Sequence, residues 1–212
     1  QISVPHSVDN PQHDAQVNII GSINIFELSL KYGVKRVVIA SSDGTVYGDV
    51  KVSADETTSL NPYGVSKVAM DSYAKYYSTR GLEVKSLRYA NVYGLRQSNS
   101  SVIFIFMDRF ARNLPVTING NCVRDYVHVS DVVKINLIAL RESEFPSVMN
   151  IGSGIPIAVH DLALHIKSML NSEAEIIFGP QRPGDVQHSA LNVDKMRHFI
   201  KPLNLEDGLK RF

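Results

Sequence analysis

The sequence predicts an α/β fold: strand–helix units of a parallel sheet over residues 1–95, then a smaller α/β lobe over residues 96–212. Three observations carry this. Short apolar runs of strand length alternate with longer segments of helical spacing. Three of the conspicuous motifs stand at strand ends or at a helix start, where open parallel sheets bind ligands. In the second half the strands are shorter and the pattern is more mixed, as in a lobe attached to the sheet.

The elements follow in order. Residues 14–31 place Val17, Ile20, Ile23, Ile25, Phe26 and Leu28 at helical spacing, and Gly33 ends the run. Residues 36–40 form a short buried strand. Residues 62–77 form a second long helix, with Asn61 as its cap and Gly81 just past its end. Residues 84–89 are the next strand. Beyond them, residues 102–112 read as a helix, 116–118 as a short strand and 122–127 as a strand. Ser130 and Asp131 cap a helix that runs to about Leu140. Residues 148–151 and 155–159 are short strands, 160–170 a helix and 175–178 a strand. A last helix starts near Leu205.

Composition excludes several classes of function. Lys and Arg number 22 against 21 Asp and Glu, a formal net charge of +1. With no long basic run, the chain carries no electrostatic footprint for nucleic acid. An anionic small ligand must therefore be held by a few placed arginines. Cys122 is the single cysteine, so no disulfide can form within the chain, which fits a reducing, cytoplasmic setting. No apolar run approaches the roughly 18 residues of a membrane span. The start, Gln1-Ile2-Ser3-Val4-Pro5-His6, has neither a basic segment nor an apolar signal core and reads as a chain that begins in mid-domain.

The chemistry concentrates in Tyr63-Gly64-Val65-Ser66-Lys67 at a helix start. A spacing of four lays Tyr63 and Lys67 on one helical face. An ammonium near a phenol favours phenolate, and a phenol so tuned exchanges a proton with a sugar hydroxyl. Alone, this pair could be an ordinary surface pair. Its neighbours change that: Ala40-Ser41-Ser42-Asp43-Gly44-Thr45-Val46-Tyr47-Gly48 upstream and Leu87-Arg88-Tyr89-Ala90-Asn91-Val92-Tyr93-Gly94 downstream, both at strand ends.

The ordered set resembles the extended short-chain dehydrogenase/reductase family, most closely its UDP-glucose 4-epimerases. Val123-Arg124-Asp125-Tyr126-Val127-His128-Val129, Asn150-Ile151-Gly152-Ser153-Gly154 and Arg182-Pro183-Gly184-Asp185 extend the likeness over nearly the whole chain. The resemblance implies a partial doubly wound, Rossmann-like parallel sheet with a C-terminal substrate-binding lobe, some segments of which return to the first domain. It implies NAD as the cofactor and a UDP-hexose as the substrate, epimerised at C4 through a 4-keto sugar.

By that resemblance Tyr63 removes the proton from the 4-hydroxyl, while Lys67 binds the nicotinamide ribose and tunes Tyr63. Ser42 and Asp43 stand where the family relays a proton. Tyr89, Ser41 and Gln1 would contact NAD. Asn91, Arg124, Arg182 and Asp185 would hold the UDP part, with Thr117 and Asn119 near uracil. A homodimer through a four-helix bundle of the two long helices is also implied.

Three departures from the family stand out. No Gly-x-x-Gly-x-x-Gly turn occurs, so the first half of the NAD-binding domain is expected to be missing and the chain alone to be impaired. Asp43 occupies a position where epimerases carry Ser or Thr; an ionised carboxylate accepts but does not donate. Ala90 stands where an aromatic residue is common. Two alternatives remain: a nucleotide-sugar 4,6-dehydratase, disfavoured because Gly44-Thr45 stands where those relatives carry Asp-Glu, and a non-catalytic remnant that binds a UDP-sugar.

Overall fold

Strand β2 (Glu83–Tyr89) is buried or half-buried along its whole length, as a strand covered on both sides is. In the computed structural model, which describes residues 1–42, 44–47, 61–181 and 186–212, β2 is the centre of a three-stranded parallel sheet. Its neighbours are β1 (Arg36–Ser42) and β6 (Val148–Ile151). Period-two alternation divides the side chains. Val84 joins Ile39 in a cluster with Phe26, Met70, Ala74 and Tyr77, under helices α3 (Gly21–Lys31) and α5 (Pro62–Thr79). Leu87 faces the other way, into a cluster with Ile135 and Ala139 of α7 (Val129–Arg141), Phe145 and Met196. β6 arises from the second half of the sequence, so that half does return to the first sheet.

The helix expected over residues 14–31 is built in pieces. Helix α1 (Val4–Asp9), not foreseen, precedes α2 (Pro11–Ala15), and a π-helical turn at Gln16–Ile20 leads into α3. Gly33 ends the run at φ +70°, as expected. Asn61 caps α5 by accepting the Gly64 N–H at 2.9 Å. Between β1 and α5 lies the one-turn helix α4 (Gly44–Tyr47).

The second cluster of elements packs around Phe106, Phe110, Ile118, Leu162 and Ile166. It contains β3 (Asn91–Tyr93), α6 (Val102–Ala111), β4 (Val116–Asn119), β5 (Val123–His128), β7 (Pro156–Ala158), α8 (Val159–Met169) and β8 (Ile176–Gly179). β5 pairs parallel with β3 and antiparallel with β7, and β4 pairs parallel with β8. Short helices α9 (Asp194–Arg197) and α10 (Leu205–Leu209) close the chain.

One cap differs from expectation. Helix α7 starts at Val129 with His128 as its cap: the imidazole Nδ1 accepts the Ser130 N–H at 3.2 Å. Ser130 and Asp131 lie inside the helix, and Asp131 is buried and accepts the Leu203 N–H at 2.7 Å. Among the described residues no helix is long and apolar enough to cross a membrane.

Candidate active site

Asn61 and Pro62 start α5 under the carboxyl end of β1, and this fixes what its first turns present. Tyr63 and Lys67 are both buried, and the Lys67 Nζ lies 5.5 Å from the centre of the Tyr63 ring. That is cation–π range, and it places the ammonium beside the phenol as the spacing predicts. Lys67 Nζ donates to the Ala40 carbonyl at 2.8 Å. Burial lowers its pKa, and the charges of Asp14 and Asp71 oppose that effect.

The turns of α5 are tied from behind. The Tyr63 N–H donates to Ser7 Oγ at 3.1 Å, and Ser66 Oγ donates to the Tyr63 carbonyl at 2.9 Å. Asn18, carried on the π-helical turn, donates to Ser66 Oγ at 3.1 Å and to Asp14 Oδ1 at 3.2 Å. π turns recur where a helix must turn one side chain out of register for function. Gln1 joins the same network, with its amino terminus on Asn18 Oδ1 at 3.1 Å and its amide on Asp14 Oδ1 at 2.6 Å.

At the end of β1, Ser41 is buried and its Oγ has no hydrogen-bond partner among the described residues. Lys67 makes one hydrogen bond among the described residues, and an ammonium has three donors. A buried orphaned hydroxyl, one residue after the carbonyl that holds an ammonium with donors to spare, fits a ligand rich in hydroxyls, such as a nucleotide ribose. The expected cofactor therefore matches the residues present here. Ser42 is half-buried next to Ser41. Asp43 lies outside the described residues. Tyr89, at the end of β2, turns to the α7 side, where its hydroxyl donates to Asn136 Oδ1 at 3.0 Å. Burial raises its pKa. The fold therefore does not bring the Tyr89 hydroxyl to Lys67.

The second half of the site is a cavity of about 360 Å³, within the size range of small-ligand pockets. Asn91, Thr117, Asn119 and Arg124 all line it, four of the residues expected to hold the UDP part. Arg124 donates through Nη1 to the Val123 carbonyl at 2.9 Å and the Gln187 carbonyl at 3.5 Å, and has no carboxylate partner among the described residues. Its neighbour Asp125 points the opposite way. Fully buried, it accepts from Ser153 N and Gly154 N, each at 2.9 Å, and from Ser153 Oγ at 2.5 Å. A local Arg124–Asp125 ion pair is thus excluded. Arg182 and Asp185 lie outside the described residues.

Tyr63 and Lys67 do not line this cavity. The two halves meet through the sheet: Lys67 reaches the carboxyl end of β1, and Asn91 follows the carboxyl end of β2 two residues after Tyr89. Sequence reasoning missed five cavity residues with hydroxyl or amide side chains: Tyr93, Gln97, Ser100, Ser101 and Tyr126. Tyr126 stands inside a motif that was recognised, beside Arg124. Among the described residues, no group of three or more His, Cys, Asp or Glu could hold a metal ion.

Comparison with known proteins agrees with this geometry. The family model described as NAD dependent epimerase/dehydratase family matches residues 1–152. The UDP-glucose 4-epimerase of Mycolicibacterium smegmatis is 33% identical over 210 residues, which cover 94% of this chain and 67% of that protein. Among solved structures, UDP-glucose 4-epimerase of Thermotoga maritima with UDP-glucose aligns at TM-score 0.92 and 38% identity, covering 99% of this chain and 72% of its own. The Thermus thermophilus UDP-glucose 4-epimerase complex with NAD aligns at TM-score 0.93 and 33% identity, covering 100% and 73%. The expected fold class, a partial doubly wound parallel sheet with a smaller α/β lobe, holds.

Proposed function

The chain belongs to the NAD dependent epimerase/dehydratase family, and from that premise we propose that its reaction is epimerisation at C4 of a UDP-hexose of the glucose/galactose type. One observation carries the reading: a buried ammonium with two donors uncommitted among the described residues lies 5.5 Å from the Tyr63 ring, at the sheet end that also leads into the Arg124 cavity. Relatives described as UDP-glucose 4-epimerases, solved with UDP-glucose or with NAD, support it.

In this reading NAD, when bound beside Lys67 and Ser41, would supply reversible hydride-accepting chemistry. Tyr63 takes the proton of the sugar 4-hydroxyl and gives it back. The positive charge of Lys67 stabilises the phenolate that forms in between, and its spare donors hold ribose hydroxyls. Ser41 lends its unpartnered hydroxyl to the cofactor, with Gln1 and Tyr89 at the margins of that site. Ser42, and Asp43 by its motif, belong with the reacting hydroxyl. Arg124 offers a planar fork to the pyrophosphate, a geometry that phosphate oxygens match bidentately. Asn91 joins it, and Thr117 and Asn119 border the uracil end. Arg182 and Asp185 belong to this set by their motif.

The test uses two substitutions with opposite signatures. Tyr63→Phe should lower kcat by about 10²–10⁴-fold, the share of a positioned proton-transfer group, with the affinity for UDP unchanged by calorimetry. Arg124→Ala should weaken UDP binding about tenfold or more, the loss of a charge-assisted hydrogen bond. Turnover by Tyr63→Phe comparable to the unaltered protein would remove the phenol from its role.

A homodimer built as a four-helix bundle belongs to the same reading. Ile25 and Leu28 of α3 and Val65, Tyr73 and Tyr76 of α5 are apolar and exposed, and they sit at helical intervals. A single monomeric mass by light scattering at micromolar concentration would count against it.

A further inference from the structure

On the α5 side of the sheet, a buried polar cluster ties the helix that follows β1 to α5 and to strands β2 and β6, beside the Tyr63–Lys67 half of the candidate site. Arg88 stands on β2 opposite Ser41 of β1 and Asn150 of β6. Its Nε and Nη2 meet Asp71 Oδ2 of α5 at 2.9 and 2.8 Å. Its Nη1 donates to the Tyr47 hydroxyl at 2.7 Å, and its guanidinium carbon lies 5.0 Å from the centre of the Tyr47 ring. Tyr47 OH donates onward to Asn150 Oδ1 at 2.8 Å, and Asn150 Nδ2 to the Asn192 carbonyl at 3.2 Å. Asp71 Oδ1 accepts from Ser86 Oγ at 2.5 Å. The Arg88 and Asp71 side chains are only 13% and 8% exposed.

Such a pair is costly to bury, and an apolar replacement of similar volume is often as stable. Stability alone is therefore a weak reason for it. What the pair supplies is direction. The guanidinium fork fixes two partners at once, one on α5 and one on α4. Asp71 lies one helical turn beyond Lys67, and Tyr47 lies five residues beyond Ser42.

We propose that Tyr47, Arg88 and Asp71 form a positioning clamp that fixes the chain leaving β1, with Ser41 and Ser42, in register against Tyr63 and Lys67 on α5. This rests on the reading of Tyr63 and Lys67 as the proton-transfer pair. None of the three touches the reacting atoms; each acts through the residues it orients. The groups that face Lys67 are Asp14 from α2, Asp71 and Tyr63 from α5, and the Ala40 carbonyl from β1. Asp71 therefore serves both ends of the clamp: it anchors Arg88, and its charge helps Lys67 keep its proton.

The experiment compares Tyr47→Phe, Arg88→Met and Arg88→Lys in the full-length enzyme, with kcat, KM, unfolding midpoint and hydrogen exchange of the peptide spanning Ser41 to Tyr47. Tyr47→Phe keeps the ring and removes only the hydroxyl shared by Arg88 and Asn150. It should lower kcat about tenfold or more while KM moves by less than about threefold, with faster exchange in that peptide and little change in the midpoint. Arg88→Lys can still reach Asp71 but cannot fork to Tyr47, so stability should recover relative to Arg88→Met while kcat stays low. If kcat and midpoint recover together in Arg88→Lys, or if Tyr47→Phe keeps full kcat, the clamp is only structural and the proposal falls. Active Tyr63→Phe would overturn the reading of the pair instead. The exchange of the Ser41–Tyr47 peptide would still decide whether the clamp exists.

Discussion

The two halves of the candidate site are held in opposite ways. Around Tyr63 and Lys67, the functional side chains are themselves buried and bonded: the ammonium on the Ala40 carbonyl, the helix turn on Ser7, Asn18 and Ser66. Around Arg124, the functional side chains line a cavity of about 360 Å³, and the burial is done by their neighbours. Asp125 alone receives three hydrogen bonds from the 153–154 turn and so anchors the strand on which Arg124 stands. The difference matches the two proposed tasks. Proton transfer needs a perturbed pKa, which a buried ammonium held against the phenol can supply. Grip on a diphosphate needs an accessible cation on a rigid support.

The comparison breaks most readily at Asp125. Burial pushes its carboxyl pKa up, and bonds from Ser153 and Gly154 only partly counter that. Asp125→Ala should leave those donors buried and unpaired, at a cost of about 3 kcal/mol or more, read as a lower urea midpoint. Gly152→Ala probes the same joint from the other side, because a Cβ there would lie 2.3 Å from Asp125 Oδ2. Both should weaken UDP binding along with stability. A stable Asp125→Ala protein would mean that the cavity is supported by its apolar core alone, and the contrast with the Tyr63 side would lose its basis.

How much of this was legible beforehand follows the same division. The apolar spacing of residues 62–77 and the cap at Asn61 are local facts, and α5 forms as read. The opposed directions of Arg124 and Asp125 were also available, since adjacent strand residues point to opposite faces. The π turn was not, because its apolar residues satisfy helical spacing equally well and the bulge shows only when Asn18 meets Ser66. The Tyr47–Arg88–Asp71 cluster was hidden for a related reason: its members are local to nothing in the sequence and converge only when α4, α5 and β2 pack. Cap assignment failed at α7 because Ser130 and Asp131 have the favoured side chains, whereas the backbone turns two residues before Ser130, at His128.

That cap gives the smallest effect and a test of how far burial of a functional motif reaches. His128 closes the Arg124 motif, and its Nδ1 can accept the Ser130 N–H only while it lacks a proton. Burial, the largest influence, lowers its pKa, helped by Arg211 and Lys134 and opposed by Asp131. A histidine with a depressed folded pKa binds its proton more readily when the chain is unfolded. Stability should therefore fall as pH drops below the unfolded value of about 6.5 and level off below the folded pKa. His128→Ala should cost about 1 kcal/mol at neutral pH, the worth of a cap, and should flatten that acid-side loss. Urea midpoints of both proteins at about pH 7.5 and about pH 5.5 measure it. A gap between the two proteins that fails to narrow on acidification would show that His128 keeps its proton state through folding. The cap would then be an ordinary hydrogen bond with no link to pH.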